Sequence, residues 1–534
     1  MKREQLELEV NRLLHEWIAT DTRPSRYAAW LLLLKIWLWK ADEGEDPEPF
    51  PNEYLNRLIQ MVHDQNRATR ATALSAVVMI VMKYERLLPK DILQQLQTWR
   101  SDKLISKELM EVQANFAMSI LGDSIMNKSK RKLQRAIIES IKKKETDSSE
   151  YKKRMDGYMK EILHLVEEGV DVNASSFSQV CNTPFFATLK NWLLDFDANH
   201  PGLELSDSDR RIMTMSLRNT NLCELDKYAF SGHMDSMLTK HRIGKEDREK
   251  LAEIAEMMET GEVEDLSDMF SYRNVFQTMY RFFNYSPWHE VLENPFHFGP
   301  YLSDTALLMP ILTDDFLWKA AQWFARYGMY THPAMYLRTL LTRNGERQEW
   351  MRLLVDCDQH LGETQEQLIL LQKLEEMNPQ DISIAQQLGM VLTHMGEYEQ
   401  ALPYLYHADV VESQDPEEKK EIARKSHDTN RAIAWCSLMT RNVKRSERYY
   451  KRLLNWEGGP RWEDLLNAGH SAWLSGNPER ARILYTKALK QKAAGKSLGK
   501  EQFLQPLTND TPYLEHIGFT TEDINLMCEG ISMD

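Results

Sequence analysis

The chain has 534 residues, a formal net charge of -14 and 42% hydrophobic residues, with only 22 glycines and 19 prolines beside 27 methionines. The acidic balance excludes a generic polyanion binder, because nucleic-acid affinity depends on Lys and Arg neutralising phosphates. Scarce glycine and proline favour long helices over strands joined by tight turns. The five cysteines, Cys181, Cys223, Cys357, Cys436 and Cys528, are scattered, odd in number and never paired as C-x-x-C. This suits free buried thiols in a reducing compartment, with the cytoplasm as the expected location, and not a disulfide framework or a zinc site.

The opening segment MKREQLELEVNRLLHEW alternates charges and lacks the apolar core of a signal peptide. YAAWLLLLKIWLWK, residues 27–40, is the most apolar run, yet it carries Lys35 and is shorter than the roughly 20 residues a membrane span needs. It predicts a buried helix and no membrane span. An acidic, proline-bearing loop follows at 41–53, and helical periodicity resumes with NEYLNRLIQMVHD.

KSKRKLQRAIIESIKKK, residues 128–144, sets Lys128, Lys130, Arg131, Lys132, Arg135, Lys142, Lys143 and Lys144 against the single acid Glu139. With Leu133, Ile137, Ile138 and Ile141 on one face, it predicts a basic amphipathic helix whose solvated face is open to an acidic partner, anionic lipid or nucleic acid. The charged stretch 142–154 marks a unit boundary. From about 156 to 300 the chain stays helical and turns aromatic-rich, as in NTPFFATLKNWLLDF and VFQTMYRFFNYSPWHEV. The expected fold is therefore all-α.

A repeat emerges downstream. Counted from Ile382, Leu388 falls at position 7, Gly389 at 8, Gly396 at 15, Ala401 at 20, Leu405 at 24 and Ala408 at 27. The phase holds 34 residues upstream from Gln348, with Met351, Leu354, Gly362, Leu371, Leu374 and Pro379, although Asp358 at 11 and Gln367 at 20 fit poorly. It holds again from Asp314, with Leu317, Ala321, Phe324 and Gly328. Downstream, Leu465, Ala468, Gly469, Gly476, Ala481, Tyr485 and Ala488 register from Trp462. A looser unit from His427 places Ala434, Ser446, Tyr450 and Leu453. The 45-residue step from 382 to 427 predicts a longer helix or an insertion.

This pattern resembles the tetratricopeptide repeat family over about 314–490. The resemblance implies an α-solenoid of helix-turn-helix repeats, with a divergent helical-repeat N-terminal half and a tetratricopeptide C-terminal half. The middle region and the ending FLQPLTNDTPYLEHIGF also look like uncharacterised bacterial proteins that join divergent helical repeats to such an array. The expected organisation is an N-terminal helical region 1–145, an aromatic-rich helical region 146–305, the repeat array 306–500 and capping helices 501–534. Thr520 and Asp523 are expected to cap the last helix.

The same resemblance implies that positions 2, 5, 9, 12 and 13 of each first helix line a concave groove for a protein or peptide segment. They include Trp318, Arg352 and Gln386 at 5, Met390, Trp435 and His470 at 9, Trp473 at 12 and His394 at 13. For the tryptophans, packing between repeats is the competing reading. The second positions, Asp315, Glu349, Ser383, Asp428 and Glu463, hold no lysine, so an acidic C-terminal chaperone tail would meet like charge. A neutral or basic segment is the expected partner.

Catalytic and metal motifs fail on spacing. GKSLGK (495–500) has Lys490 where a phosphate loop needs its first glycine. GHSAW has Trp473 in place of the second glycine of a nucleophile elbow. His289 and Glu290 lack the second histidine that a zinc helix requires, and His233 and His241 stand about 12 Å apart along a helix. No cofactor, metal or catalytic residue is expected. The leading expectation is a non-catalytic binding or scaffolding module; the alternatives are a nucleic-acid-associated or regulatory factor using the 128–144 helix, and an enzyme with its site in 180–300.

Overall fold

The computed structural model describes residues 2–20, 22–40, 49–142, 149–167, 169–171, 174–199, 206–218, 222–239, 246, 250, 253, 271–409, 416–456, 459–494 and 498–532. Among them are α-helices and short 3-10 turns and no strand, so the fold is all-α. Two compact units, Met1–Trp323 and Phe324–Asp534, divide the chain.

The first unit holds α1 (Lys2–Thr20), α2 (Arg26–Trp37), α3 (Asn52–Met61), α4 (Arg67–Tyr84), α5 (Lys90–Thr98) and the 40-residue α6 (Lys103–Lys142). After these come α7 (Ser149–Glu167), α8 (Ala174–Val180), α9 (Lys190–Leu193), α10 (Asp207–Arg218), α11 (Glu224–Thr239) and α12 (Ser271–Tyr285). The apolar run forms α2, which is hydrophobic on every side and packed by α1, α3 and α4, as an all-round apolar helix must be. Ser25 caps its first turn, and Lys35 inside the run donates to Asn11 at 2.9 Å. Among the described residues no helix is long and apolar enough to cross a membrane.

Elements from both sides of residue 145 share this unit, because the aromatic face of α12 packs on α4 and α6. Phe282 meets Trp30 at 5.3 Å and Trp192 at 5.9 Å between ring centroids, and Phe283 meets Trp37 at 5.5 Å. Arg281, fully buried on the same helix, grips Asp171 at 2.7 Å and Asp226 at 2.6 Å. A buried guanidinium needs this double pairing to offset its lost hydration.

In α13 (Asp314–Arg326) lies the division between units. Beyond it run α14 (Thr331–Asn344), α15 (Gln348–Leu361), α16 (Thr364–Met377), α17 (Ile382–His394), α18 (Tyr398–Ala408), α19 (Pro416–Met439), α20 (Val443–Leu454), α21 (Trp462–Leu474) and α22 (Pro478–Ala493). From α14 onward each helix packs on the next, the arrangement of an α-solenoid. The repeat starts read from the sequence at 314, 348, 382 and 462 are the first residues of α13, α15, α17 and α21. At the loose unit α19 instead begins at Pro416, 34 residues after Ile382. Its 24 residues against the 13 of α17 account for the 45-residue step.

Two glycine positions set the hairpins. Gly328, Gly362, Gly396 and Gly476, all at position 15, take the left-handed backbone with φ between 78° and 83°. At the same position of the loose unit stands Arg441 with φ 56°, the one non-glycine residue of positive φ among those described, at a cost of about 1–2 kcal/mol. At position 8, a Cβ on Gly389 would lie 2.5 Å from Leu405 of the paired helix, and one on Gly469 would collide with the Tyr485 ring.

The poor fits of the Gln348 unit also have a physical account. Asp358 stands fully buried where an aromatic is usual and pairs with Arg338 at 2.6 Å, so an ion pair replaces a ring. Gln367, at position 20, is buried as well.

Gly469→Ala is expected to overpack against Tyr485 and cost about 1–3 kcal/mol, read as a lower melting temperature in circular dichroism of the full chain. For Asp358, burial pushes the carboxyl up to about 6 from 3.8, against the pull of Arg338. The folded chain then holds this proton more tightly than the unfolded chain. The contribution to stability is therefore greatest below pH 3.8 and declines as pH rises towards 6. Asp358→Asn should flatten that part of the profile in urea titrations compared with the parent chain.

Candidate functional site

The face presented by the first helices of the pairs, α15, α17, α19 and α21, holds most of the residues singled out in the sequence, and it divides into three parts by what covers each side chain. Trp318 lies outside this set, half-buried on α13.

The fifth-position side chains join neighbouring repeats. Arg352 on α15 donates to Asp381 at 2.5 Å, and Asp381 in turn caps α17 through the backbone N–H groups of Ser383 and Ile384. Gln386 on α17 donates to Thr429 on α19 at 2.8 Å. Arg431 on α19 donates to both oxygens of Asp464 on α21, at 2.5 and 2.9 Å, and to Asp428 at 2.7 Å. Arg352 and Arg431 each tie one first helix to the start of the next, whereas Gln386 reaches the middle of the longer α19. Arg431 was not among the sequence candidates; counting five from His427 would have found it. Asp464 has no exposed surface, and its carboxylate also accepts the backbone N–H of Arg461 at 3.2 Å.

At the C-terminal end of the array the face is covered. Three short helices, α23 (Lys500–Asn509), α24 (Thr511–Ile517) and α25 (Thr521–Glu529), follow the last repeat. Thr520 and Asp523 form the reciprocal cap of α25, as their spacing predicts. Of these helices, α24 packs on α19. Trp435 meets Tyr513 edge-on at 5.1 Å, and Trp473 stacks on Phe519 at 4.0 Å with 22° between planes. His470 is fully buried, with Nδ1 bonded to the Tyr485 hydroxyl at 2.8 Å and Nε2 to Asp510 at 3.1 Å. That burial removes His470 from the side chains an incoming segment can touch in this conformation.

The open part is the outer half of α15 and α17. Met390 is 40% exposed and His394 is exposed beside it at position 13. The equivalent positions of α15 are Asp356 and His360, both exposed. His360 bonds the Asp356 carbonyl through Nδ1 at 2.8 Å and stacks on Tyr330 at 4.0 Å and 15°. Burial, then the Asp356 charge, push the Tyr330 phenol above its usual range.

Of the basic residues read on α6, Arg131 and Arg135 are exposed. The side chains of Lys128, Lys130, Lys132 and Lys142, and all of Lys143 and Lys144, lie outside the described residues.

In the 180–300 region a cleft of about 480 Å³ is lined by Arg26, Asp195, Glu224, Lys227, Ser271 and Asn274, among others. Its charged members pair with each other, Arg26 with Asp195 at 2.6 Å and Lys227 with Glu224 at 2.7 Å. Burial opposes ionisation of Glu224, yet Arg26 and Lys227 hold its carboxyl below the usual range. All five cysteines are free and buried, and burial pushes the thiols of Cys223 and Cys357 up to about 12 and that of Cys436 to about 11. Among the described residues no three His, Cys, Asp or Glu side chains are grouped as a metal ion would need.

No family model and no curated protein matches the chain. Solved structures that match include a tetratricopeptide repeat protein from Parabacteroides merdae ATCC 43184, at 14% identity and TM-score 0.28, covering 52% of this chain and 97% of that one. TTC0263, a thermophilic TPR protein in Thermus thermophilus, matches at 16% identity and TM-score 0.24, over 39% of this chain and all of its own. Yeast Tom70 matches at 11% identity and TM-score 0.24, with 96% of each chain covered. The phase of α15, α17 and α21 and the left-handed turns at position 15 are those of tetratricopeptide-like helical repeats.

Arg431→Ala leaves the Asp464 carboxylate buried without its main partner, so a loss of about 3–5 kcal/mol is expected in urea denaturation. Gln386→Ala, which removes a neutral hydrogen bond, should cost about 1 kcal/mol.

Proposed function

We propose that the protein is a non-catalytic interaction or scaffolding module that binds a segment of another protein on the first-helix face of its repeats, where α15 and α17 leave it open. The observation that carries this reading is the combination, at positions 9 and 13 of two consecutive first helices, of an exposed methionine, an aromatic stack and a carboxylate. Met390 and the Tyr330–His360 stack supply adaptable apolar surface, the kind that packs against a partner's side chains. Exposed Asp356 and Glu349 set the sign of the charge around them, which favours a neutral or basic segment and opposes an acidic tail. Arg352 and Gln386 hold the repeats in register beside this surface.

A photo-crosslinking residue in place of Met390, in the native cell, is expected to give a protein adduct. The same residue in place of Ile483, which is exposed on the second-helix side of the last repeat, serves as control. Equal adducts at both positions, or adducts at 483 alone, would sink the assignment. Once the partner is known, Met390→Asp should weaken binding by about tenfold or more while leaving the melting temperature unchanged, because the side chain is exposed.

A further inference from the structure

The closure of the array's C-terminal end is built from residues that a plain cap does not need. Four repeats turn on glycine at position 15, and the fifth turns on Arg441 in the same left-handed conformation. A side chain in that backbone persists when its surroundings hold it there. Here the guanidinium donates to the carbonyl of His516 at 2.9 Å and lies against the Gly518 turn, itself left-handed at φ 110°. The arginine that replaces the expected glycine is therefore a clasp on the segment 510–519. That segment covers Trp435 with Tyr513 and Trp473 with Phe519, both tryptophans at positions the repeat pattern assigns to ligand contact.

The segment also holds the shortest of the three terminal helices. α24 has seven residues, of which Leu514 and Ile517 are buried, and a helix this short does not persist without tertiary support. Its neighbours are anchored by comparable sets, α23 by Phe503, Leu504, Pro506 and Leu507 and α25 by Ile524, Met527 and Cys528. The arrangement is a short aromatic strip held against the face between two flanking helices.

We propose that residues 510–519 are an intramolecular ligand of the first-helix face, clasped by Arg441, and that they withhold Trp435 and Trp473 from outside segments until displaced locally. The proposal rests on the reading that this face binds protein segments. It adds that the C-terminal part is occupied by the chain's own aromatic strip and that a competitor must offer Tyr and Phe side chains in the same arrangement. Tethering at both ends gives the strip an effective concentration of roughly millimolar order, which an outside segment must exceed.

Arg441→Gly in the full chain separates the possibilities, because it restores the residue that the other repeats carry at this turn. The melting temperature should hold or rise. Amide hydrogen exchange across 511–519 should quicken by about tenfold or more, and a labelled peptide of residues 509–521 should bind at least about tenfold more tightly than it does to the parent chain. Adding Trp435→Ala and Trp473→Ala should abolish that binding. Phe519→Ser, which loosens the strip from its other end, should reproduce the faster exchange and tighter peptide binding. If both variants fold and show the exchange and peptide affinity of the parent, the strip is a fixed cap and the proposal falls. Adducts at Met390 do not depend on this result, so either reading can fail alone.

Discussion

The second unit depends on the close approach of two helices joined by a left-handed turn, an approach that glycine at position 8 permits in two of the pairs. Gly389 and Gly469 let a first helix lie directly against Leu405 and Tyr485 of its mate, where a single methyl group would intrude. The turn at position 15 reverses the chain quickly enough for the same two helices to meet. Once a pair has closed, its apolar stripe still needs a neighbour, and stacking supplies one. Stability is then passed along the array pair by pair, with the fifth-position bonds from Arg352, Gln386 and Arg431 fixing how each pair sits on the next.

That dependence explains why polar residues on the array serve two purposes. A side chain at the fifth position reaches the following first helix, so a charged or amide group there is drawn into joining repeats. Positions 9 and 13 lie farther along the helix and have no such partner on α15 and α17, which leaves Met390, His394, Asp356 and His360 at the surface. On α19 and α21 the same face is met by the chain's own Tyr513, Phe519 and Asp510. One repeat pattern thus yields a joint, an open face and a covered face, depending on which later segment of the chain reaches each helix.

The first unit is organised by a different constraint. Its aromatic residues converge from α2, α9 and α12, far apart in sequence, and the buried Arg281 holds α12 to Asp171 and Asp226. No period announces such contacts. The aromatic richness of 180–300 was legible as composition, but the pairing of Arg26 with Asp195 and of Lys227 with Glu224 was not, because pairing requires knowing which helices adjoin.

In the array, by contrast, the period carried most of the fold. The starts at 314, 348, 382 and 462, the turns at Gly328, Gly362, Gly396 and Gly476, and the cap of Thr520 with Asp523 could be read because each is a local rule repeated or spaced within a few residues. One departure was also visible, Asp358 where an aromatic belongs, and counting to position 15 from His427 would have found Arg441 where the other units carry glycine. What each departure does could not be read from the sequence. Arg338, one repeat earlier, makes sense of Asp358, and His516, 75 residues later, makes sense of Arg441. The sequence by itself determined the helices, their pairing and their turns, since these arise from backbone conformation and near-neighbour packing. Which side chains remain open to a partner was decided by the tertiary structure, because exposure depends on what a distant part of the chain folds back to cover.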